Sequence, residues 1–294
     1  MAIPTRLIRR RLKSVRSTRK IMKAMELVAA SKMRKAVGQA LASRPYASLL
    51  QEMAQEARRW QEAETQARVD GVENEKKSEL ARALYVIIAS DRGLCGGFNH
   101  QLIKVAIQEM RKKTDVTDLV IVGRKAELVA RRTAGNVIAS FPSIANAPSF
   151  ERVRPLVQLV SEAYLSGRAS TITFVYTHFK SALSQEPTVA QIFPIISTDA
   201  TVPQTVQQSC SSHFEPSPQR VLDALVPKMV ETRIYQYLLE SAASEHSSRM
   251  MAMRSAGDAA SDMIDSLTFT LNQARQAAIT QEISEISAGK AAIE

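Results

Sequence analysis

Residues 5–44 read TRLIRRRLKSVRSTRKIMKAMELVAASKMRKAVGQALASR, forty positions with no proline and a single glycine, Gly38. Ile8, Val15, Met22, Ala29 and Ala36 recur every seven residues, and Leu12, Met25, Met33 and Ala40 fill neighbouring positions on a drifting stripe. A seven-residue apolar repeat keeps one seam of a helix facing a partner helix, so the stretch predicts one long, coiled-coil-like helix. At 1.5 Å per residue it extends roughly 60 Å. Pro4 suits the first helical turn, where its missing N–H costs nothing, and Pro45 is expected to kink the helix without changing its general direction.

The same stretch dominates the charge of the chain. The first 35 residues hold twelve Lys or Arg against one acid, Glu26, whereas the whole 294-residue chain carries a net charge of +10. Everything after residue 35 is therefore close to neutral. Three partners fit a basic helix: nucleic acid phosphates, anionic lipid, or an acidic protein surface. Neither a dimerisation zipper nor a compact reading head accompanies it, as a DNA-binding helix requires. Its apolar face is Ala and Met rather than the bulky residues and Trp that a lipid-bound helix prefers.

A second long helix closes the chain. Ser217-Pro218 is a helix start, and after Pro227 the only breakers are Gly257 and Gly289. Met253, Ala260, Leu267 and Ala274 repeat every seven residues, with Ala256, Met263, Leu271 and Ala278 read as the offset row. No aromatic residue precedes Tyr46, and only Phe269 follows Tyr237. Small side chains allow close helix approach, so the two ends are expected to pair as a thin antiparallel coiled coil.

The middle has another period. ALYVIIA (83–89), LVIV (119–122) and STITFVY (170–176) read as buried strands, and VAQIF (189–193) as an edge strand ending at Pro194. Helical stretches at 99–113, 125–133 and 150–166 separate them. Alternating strands and helices imply a mainly parallel, Rossmann-like sheet. Residues 61–78 are polar and charge-rich, a linker or exposed helix end, and 200–215 reads as a loop. The expected organisation is a coiled-coil helix over 1–60, a linker over 61–79, an α/β domain over 80–215 and a second coiled-coil helix over 216–294.

Few residues point to bond chemistry. The turn SDRGLCGGFN (90–99) lies between a strand and a helix, where backbone N–H groups can cradle phosphate. It lacks both GxxxxGK[ST] and GxGxxG, and its glycines equally serve a tight turn. Cys95 and Cys210 have no CxxC spacing, and His100, His178, His213 and His246 form no ligand pattern, so a zinc site or disulfide framework is not expected. The longest apolar runs are too short to span a bilayer.

Four motifs together carry a resemblance. STRKIMKAMELVAASKMRK (17–35), SDRGLCGGFN (90–99), ASEHSSRMMAM (243–253) and ARQAAITQEI (274–283) resemble, in order, the signature segments of F-type ATP synthase gamma subunits, with PTVAQ (187–191) and YQYLLE (235–240) between them. The resemblance covers essentially the whole chain. It implies a non-catalytic rotor without a cofactor, one copy per complex, its terminal helices inside a ring of alpha and beta subunits and its α/β domain against the epsilon subunit and the membrane-embedded c-ring. It implies no nucleic acid partner, and membrane association only through the complex.

By the same resemblance Lys20, Met22 and Lys23 match a segment that meets acidic loops of the beta subunits, and Arg275, Gln276, Thr280 and Glu282 one that hydrogen-bonds loops of the ring. Asp91, Arg92, Gly93, Gly96 and Gly97 become a structural signature turn rather than a phosphate cradle. The chain departs from the family where Met22 replaces a frequent Thr, and where Leu271 and Gln273 replace Tyr and Lys. Cys95 and Cys210 lie too far apart in sequence for the thiol switch of the chloroplast form. The lack of an evident transit segment favours a bacterial enzyme, peripheral on the cytoplasmic side of the inner membrane.

Overall fold

A computed structural model describes residues 5–66, 82–112, 117–133, 135–146, 148–193 and 217–291. The strand end at Pro194, most of the 61–78 linker, the 200–215 loop, Cys210 and His213 lie outside the described residues. The chain forms two compact units, one of residues 1–31 with 249–294, the other of residues 32–248.

The first unit is a helix pair. It contains the start of α1 (Thr5–Gln66) and the end of α5 (Pro218–Ala291). Glu26 of α1 meets Arg254 of α5, and Arg19 meets Ser261. Moving seven residues back along α1 moves seven forward along α5, which defines an antiparallel register. Ile8, Leu12 and Ala29 are buried, with Val15, Met22 and Met25 half-buried on the same stripe. Burial of a residue such as Ile8 or Leu12 contributes roughly 1.5–3 kcal/mol. On α5 the buried residues are Met253, Ala260 and Ile264, with Leu267, Leu271 and Ala274 half-buried. The offset row therefore runs through Ile264, and Met263 is 54% exposed. Alternating steps of four and three from Met253 reach 257, 260, 264, 267 and 271, which is the coiled-coil repeat.

The second unit is a doubly wound sheet in the order β3-β2-β1-β4-β5. β1 (Arg82–Ile88), β2 (Thr117–Val122), β3 (Asn136–Phe141) and β4 (Ala169–Phe179) are parallel, and β5 (Gln185–Phe193) returns antiparallel to β4. Side chains alternate between faces along each strand. Ala83, Tyr85 and Ile87 pack on α2 (Phe98–Lys112) and α3 (Glu127–Thr133). Leu84, Val86 and Ile88 face the other way, into a core with Val153, Leu156 and Val160 of α4 (Phe150–Leu165) and Val230, Ile234 and Leu238 of α5. With both faces covered, β1 is apolar from Ala83 to Ile88, as parallel central strands are. Among the described residues proline opens α5 at Pro218 and lies inside three helices: Pro45 in α1, Pro155 near the start of α4 and Pro227 in α5.

β3 escaped the sequence reading, and β5 is longer than the 189–193 segment assigned from sequence. β3 is an edge strand whose Val137 and Ile138 are both exposed, so no alternation betrays it. β5 begins before Pro187, a residue that an edge strand tolerates because one side of its backbone is unpaired.

Candidate functional site

On the helix pair, Glu26 is almost wholly buried although it is the one acid in a basic segment. Lys23 Nζ reaches Glu26 Oε2 at 2.9 Å, and Arg254 Nε donates to Oε1 at 3.1 Å. The hydrogen bond from Lys23, helped by Arg254, holds the Glu26 carboxyl below its ordinary range against the opposing effect of burial. Lys23 thus serves the fold internally while its side chain stays two-thirds exposed.

Lys20 lies on the wall of a groove of about 630 Å³ that also takes in Arg9, Lys13, Arg16, Leu12 and Leu271. The four cations stand at intervals of four, three and four residues, so they share one helix face. Sequence reading recognised the helix as basic but singled out only Lys20. The spacing of Arg9, Lys13 and Arg16 was the available signal. Met22 is half-buried on the seam side.

Arg275, Gln276, Thr280 and Glu282 are all exposed, as are all residues from 275 to 289. By the register of the pair, this part of α5 runs past the described start of α1. The two predicted contact sets therefore sit on different helices, with centres roughly 30 Å apart along the axis.

The Gly-rich turn belongs to the sheet unit. Both Asp91 carboxylate oxygens accept from the Ser143 N–H at 3.1 Å, and Oδ1 also accepts from the Arg124 N–H at 3.3 Å. One carboxylate thereby ties the loop after β1 to the turns after β2 and β3. Ser90 Oγ donates to the Arg92 carbonyl at 2.7 Å, and Asn99 Nδ2 lies 3.1 Å from the buried Cys95 Sγ. Gly96 has φ 56° and Leu94 φ 62°, so the turn needs left-handed backbone. Gly93 and Gly97 meet no close obstacle at the position of an added Cβ. The sterically critical glycine is Gly123 after β2: its φ is 85°, and a Cβ would stand 2.1 Å from the Ala89 carbonyl oxygen.

In a doubly wound sheet, ligands bind beyond the carboxyl ends of the strands where strand order reverses, here between β1 and β4. That position is occupied by α5. Ser241 Oγ donates to the Ile88 carbonyl at 3.4 Å, Ser244 Oγ to Thr177 at 3.2 Å and Ser248 Oγ to Cys95 at 2.7 Å. The crevice that a nucleotide enters in such folds is filled with the chain's own helix, and within the turn Gly96 supplies left-handed backbone.

The α/β domain is continuous in sequence with the pair of long antiparallel helices, since α1 and α5 contribute to both units. The ATP synthase family model matches residues 4–293. The ATP synthase gamma chain of Moorella thermoacetica is 39% identical over 286 residues, covering 97% of this chain and 98% of that one. The gamma chain of Desulfitobacterium hafniense is 41% identical over 287 residues, with 98% of each covered. A central stalk and c-ring structure of the Tetrahymena thermophila mitochondrial ATP synthase includes a chain that is 25% identical, with a TM-score of 0.60 over 80% of this chain and 99% of its own. A chain of the Euglena gracilis mitochondrial ATP synthase, at 17% identity, shares the fold with a TM-score of 0.66 over 98% of this chain and 94% of its own. The chain belongs to the ATP synthase gamma chain family, the central-stalk subunit of that enzyme complex.

Proposed function

We propose that this chain is the rotating shaft that couples ion flow through the membrane sector to ATP synthesis or hydrolysis in a ring of alpha and beta subunits, and that it performs no bond chemistry itself. The observation that carries this reading is the antiparallel pair of α1 and α5, narrow because its seam is built from Ala, Met and a few Ile and Leu. An asymmetric shaft in a ring of identical sites makes different contacts with each. Differential contacts shift each site toward a different nucleotide affinity.

Lys20 and Lys23 carry charge toward acidic loops of the beta subunits, with Met22 between them. Arg275, Gln276, Thr280 and Glu282 offer polar groups to loops further up the ring, where helix α5 is exposed on all sides. The α/β domain, tied by Asp91, meets the epsilon subunit and the c-ring, one copy per complex. Among the described residues no helix is long and apolar enough to cross a membrane, which fits attachment through those partners on the cytoplasmic face of a bacterial inner membrane.

The test is reconstitution with purified alpha and beta subunits, an ATPase assay, and tracking of a probe fixed to the α/β domain. Stepwise rotation driven by ATP is expected. Assembly without rotation reduces the chain to a structural role. Failure to assemble, together with saturable nucleotide binding by the chain alone, overturns the reading.

A further inference from the structure

The segment of α5 that fills the crevice is bound in an unusual way for a buried helix. Residues 241–247 are all buried, so this part of α5 is enclosed on every side. Four consecutive contacts are hydroxyl donations to main-chain carbonyls. Ser241 reaches Ile88 at the end of β1, Ser244 reaches Thr177 in β4, Ser247 reaches Ala182 at 2.7 Å in the turn after β4, and Ser248 reaches Cys95 in the Gly-rich turn. One turn earlier Glu240 Oε2 lies 2.6 Å from His178 Nδ1 of β4. Between these hydroxyls Ala242 and Ala243 pack on Ala36 of α1, with Val37 and Phe179 beside them, and Glu245 and His246 are buried on the same stretch.

Apolar contact between alanines is non-directional, and it resists sliding or turning of one surface on another only weakly. A hydrogen bond is directional and weakens steeply off axis. Here every serine acceptor is a backbone carbonyl, which moves only with the strand or turn that carries it. The acceptors come from two strands and two turns, so their directions differ, and rotation of α5 about its own axis strains all four. Serine has no intrinsic reason to be in a helix interior, because its hydroxyl competes for local backbone groups. These hydroxyls instead reach carbonyls of other elements.

We infer that the hydroxyl seam of Ser241, Ser244, Ser247 and Ser248 is the torsional joint that locks the α/β domain to α5 and delivers twist applied to the domain into the helix. These four are positioning residues, and the inference rests on the rotor reading above for its use, though not for its measurement. The experiment takes the complex with alpha and beta subunits, fixed to a surface through the ring. A gold rod is attached at L165C, an 83% exposed position of the α/β domain, and its angular variance is recorded without nucleotide.

S244A/S248A removes two of four parallel bonds, and the variance is expected to rise about twofold. Unloaded ATP hydrolysis should stay at the parent value. S161A/S166A, which removes two α4-end hydroxyls away from the seam, should leave the variance unchanged. Equal variance in S244A/S248A and parent overturns the joint. If that double variant does not assemble, S248A alone is read in the same way: a smaller rise supports the joint, and none overturns it. A parent complex that never steps with ATP defeats the rotor reading instead, since the thermal variance needs only an assembled complex.

Discussion

Glu26 and Arg254, 228 residues apart in sequence, are joined by a 3.1 Å charge-assisted hydrogen bond that fixes the register of α1 against α5. Apolar seams of Ala and Met specify register poorly, because neighbouring registers bury similar surface. A nearly buried carboxylate does so sharply: a one-turn slip would leave it without Arg254. A polar group at a coiled-coil seam is a known device for specifying register.

This arrangement sets an acid limit on the helix pair. The carboxyl of Glu26 is held below its ordinary value, first by the hydrogen bond from Lys23. A depressed carboxyl contributes stability above its unfolded pKa and loses it as pH falls through the folded value. Thermal melts of the chain should therefore show a midpoint that declines below about pH 4.5. E26Q should have a lower midpoint at neutral pH and a shallower acid decline. Glu186, similarly depressed by Lys180, preserves the remainder of the slope. Identical acid limbs in parent and E26Q would remove Glu26 from this role.

Gly123 makes a sharper case, independent of charge. A side chain there is opposed twice, by φ of 85° and by the Ala89 carbonyl oxygen at 2.1 Å from the new Cβ. Left-handed strain alone costs about 1–3 kcal/mol, and the clash adds backbone displacement. G123A should lower the urea midpoint accordingly, whereas G93A, where nothing lies within 4 Å, should be far milder. Equal stability of the two variants would contradict the turn geometry.

Asp91 offers a graded test of the signature turn. Its carboxylate accepts from the N–H groups of Arg124 and Ser143, and removing it leaves both donors without that partner. D91A is expected to cost about 1–3 kcal/mol in chemical denaturation. D91N keeps one acceptor oxygen and should fall between D91A and the parent. A fully stable D91A would mean that water replaces the carboxylate without loss.

What the sequence disclosed follows the strength of each local signal. β1 and β2 hold continuous apolar runs because both their faces are covered, β4 is rich in β-branched and aromatic residues, and such stretches are visible without a partner. The long helices are legible because forty residues with no proline and a single glycine leave few alternatives. β3 was missed because Val137 and Ile138 face solvent on an edge, in a short strand between Gly135 and Pro142. The choice of Met263 over Ile264 failed for another reason: a one-residue shift of a helical stripe turns it by only about 100°, and both residues are apolar. The serine seam gave no signal, since a helical serine looks the same whether it faces water or a distant carbonyl. The partner contacts proposed for Lys20, Met22, Lys23, Arg275, Gln276, Thr280 and Glu282 rest on resemblance alone, because recognition of another chain leaves no mark on this one's folding pattern.

The C-terminal seam can be tested with proline. Ala260 is 8% exposed in the interior of α5, and its N–H belongs to the helical ladder. A260P removes that bond and pushes the ring against the preceding turn, at about 3 kcal/mol or more. Its expected outcome is an uncoupled or unassembled complex, measured as the loss of ATP-driven ion pumping. Normal pumping by A260P would show that continuity of α5 at this point is dispensable.

Charge reversal on α1 separates contact from folding, provided that the two lysines are not treated alike. Lys23 is bonded to Glu26, so K23E places two carboxylates together and loosens the helix pair before any partner is met. K23Q removes the charge without that repulsion. Among the described residues no ion pair gives Lys20 such an internal duty; it stands in its groove beside Arg16 and Arg9. K20E should therefore leave the melting midpoint of the isolated chain near the parent value while lowering the ions pumped per ATP hydrolysed. Exposed charge pairs are weak singly, about 0.2–1 kcal/mol, so the K20E/K23Q pair should show a clearer loss than either alone. High salt should narrow the difference between variant and parent, since these charges are screened over roughly 10 Å at 0.1 M. If pumping per ATP is unchanged in the double variant at low salt, the acidic-loop contact at Lys20 and Lys23 loses its support, and the basic helix is left with a folding role alone.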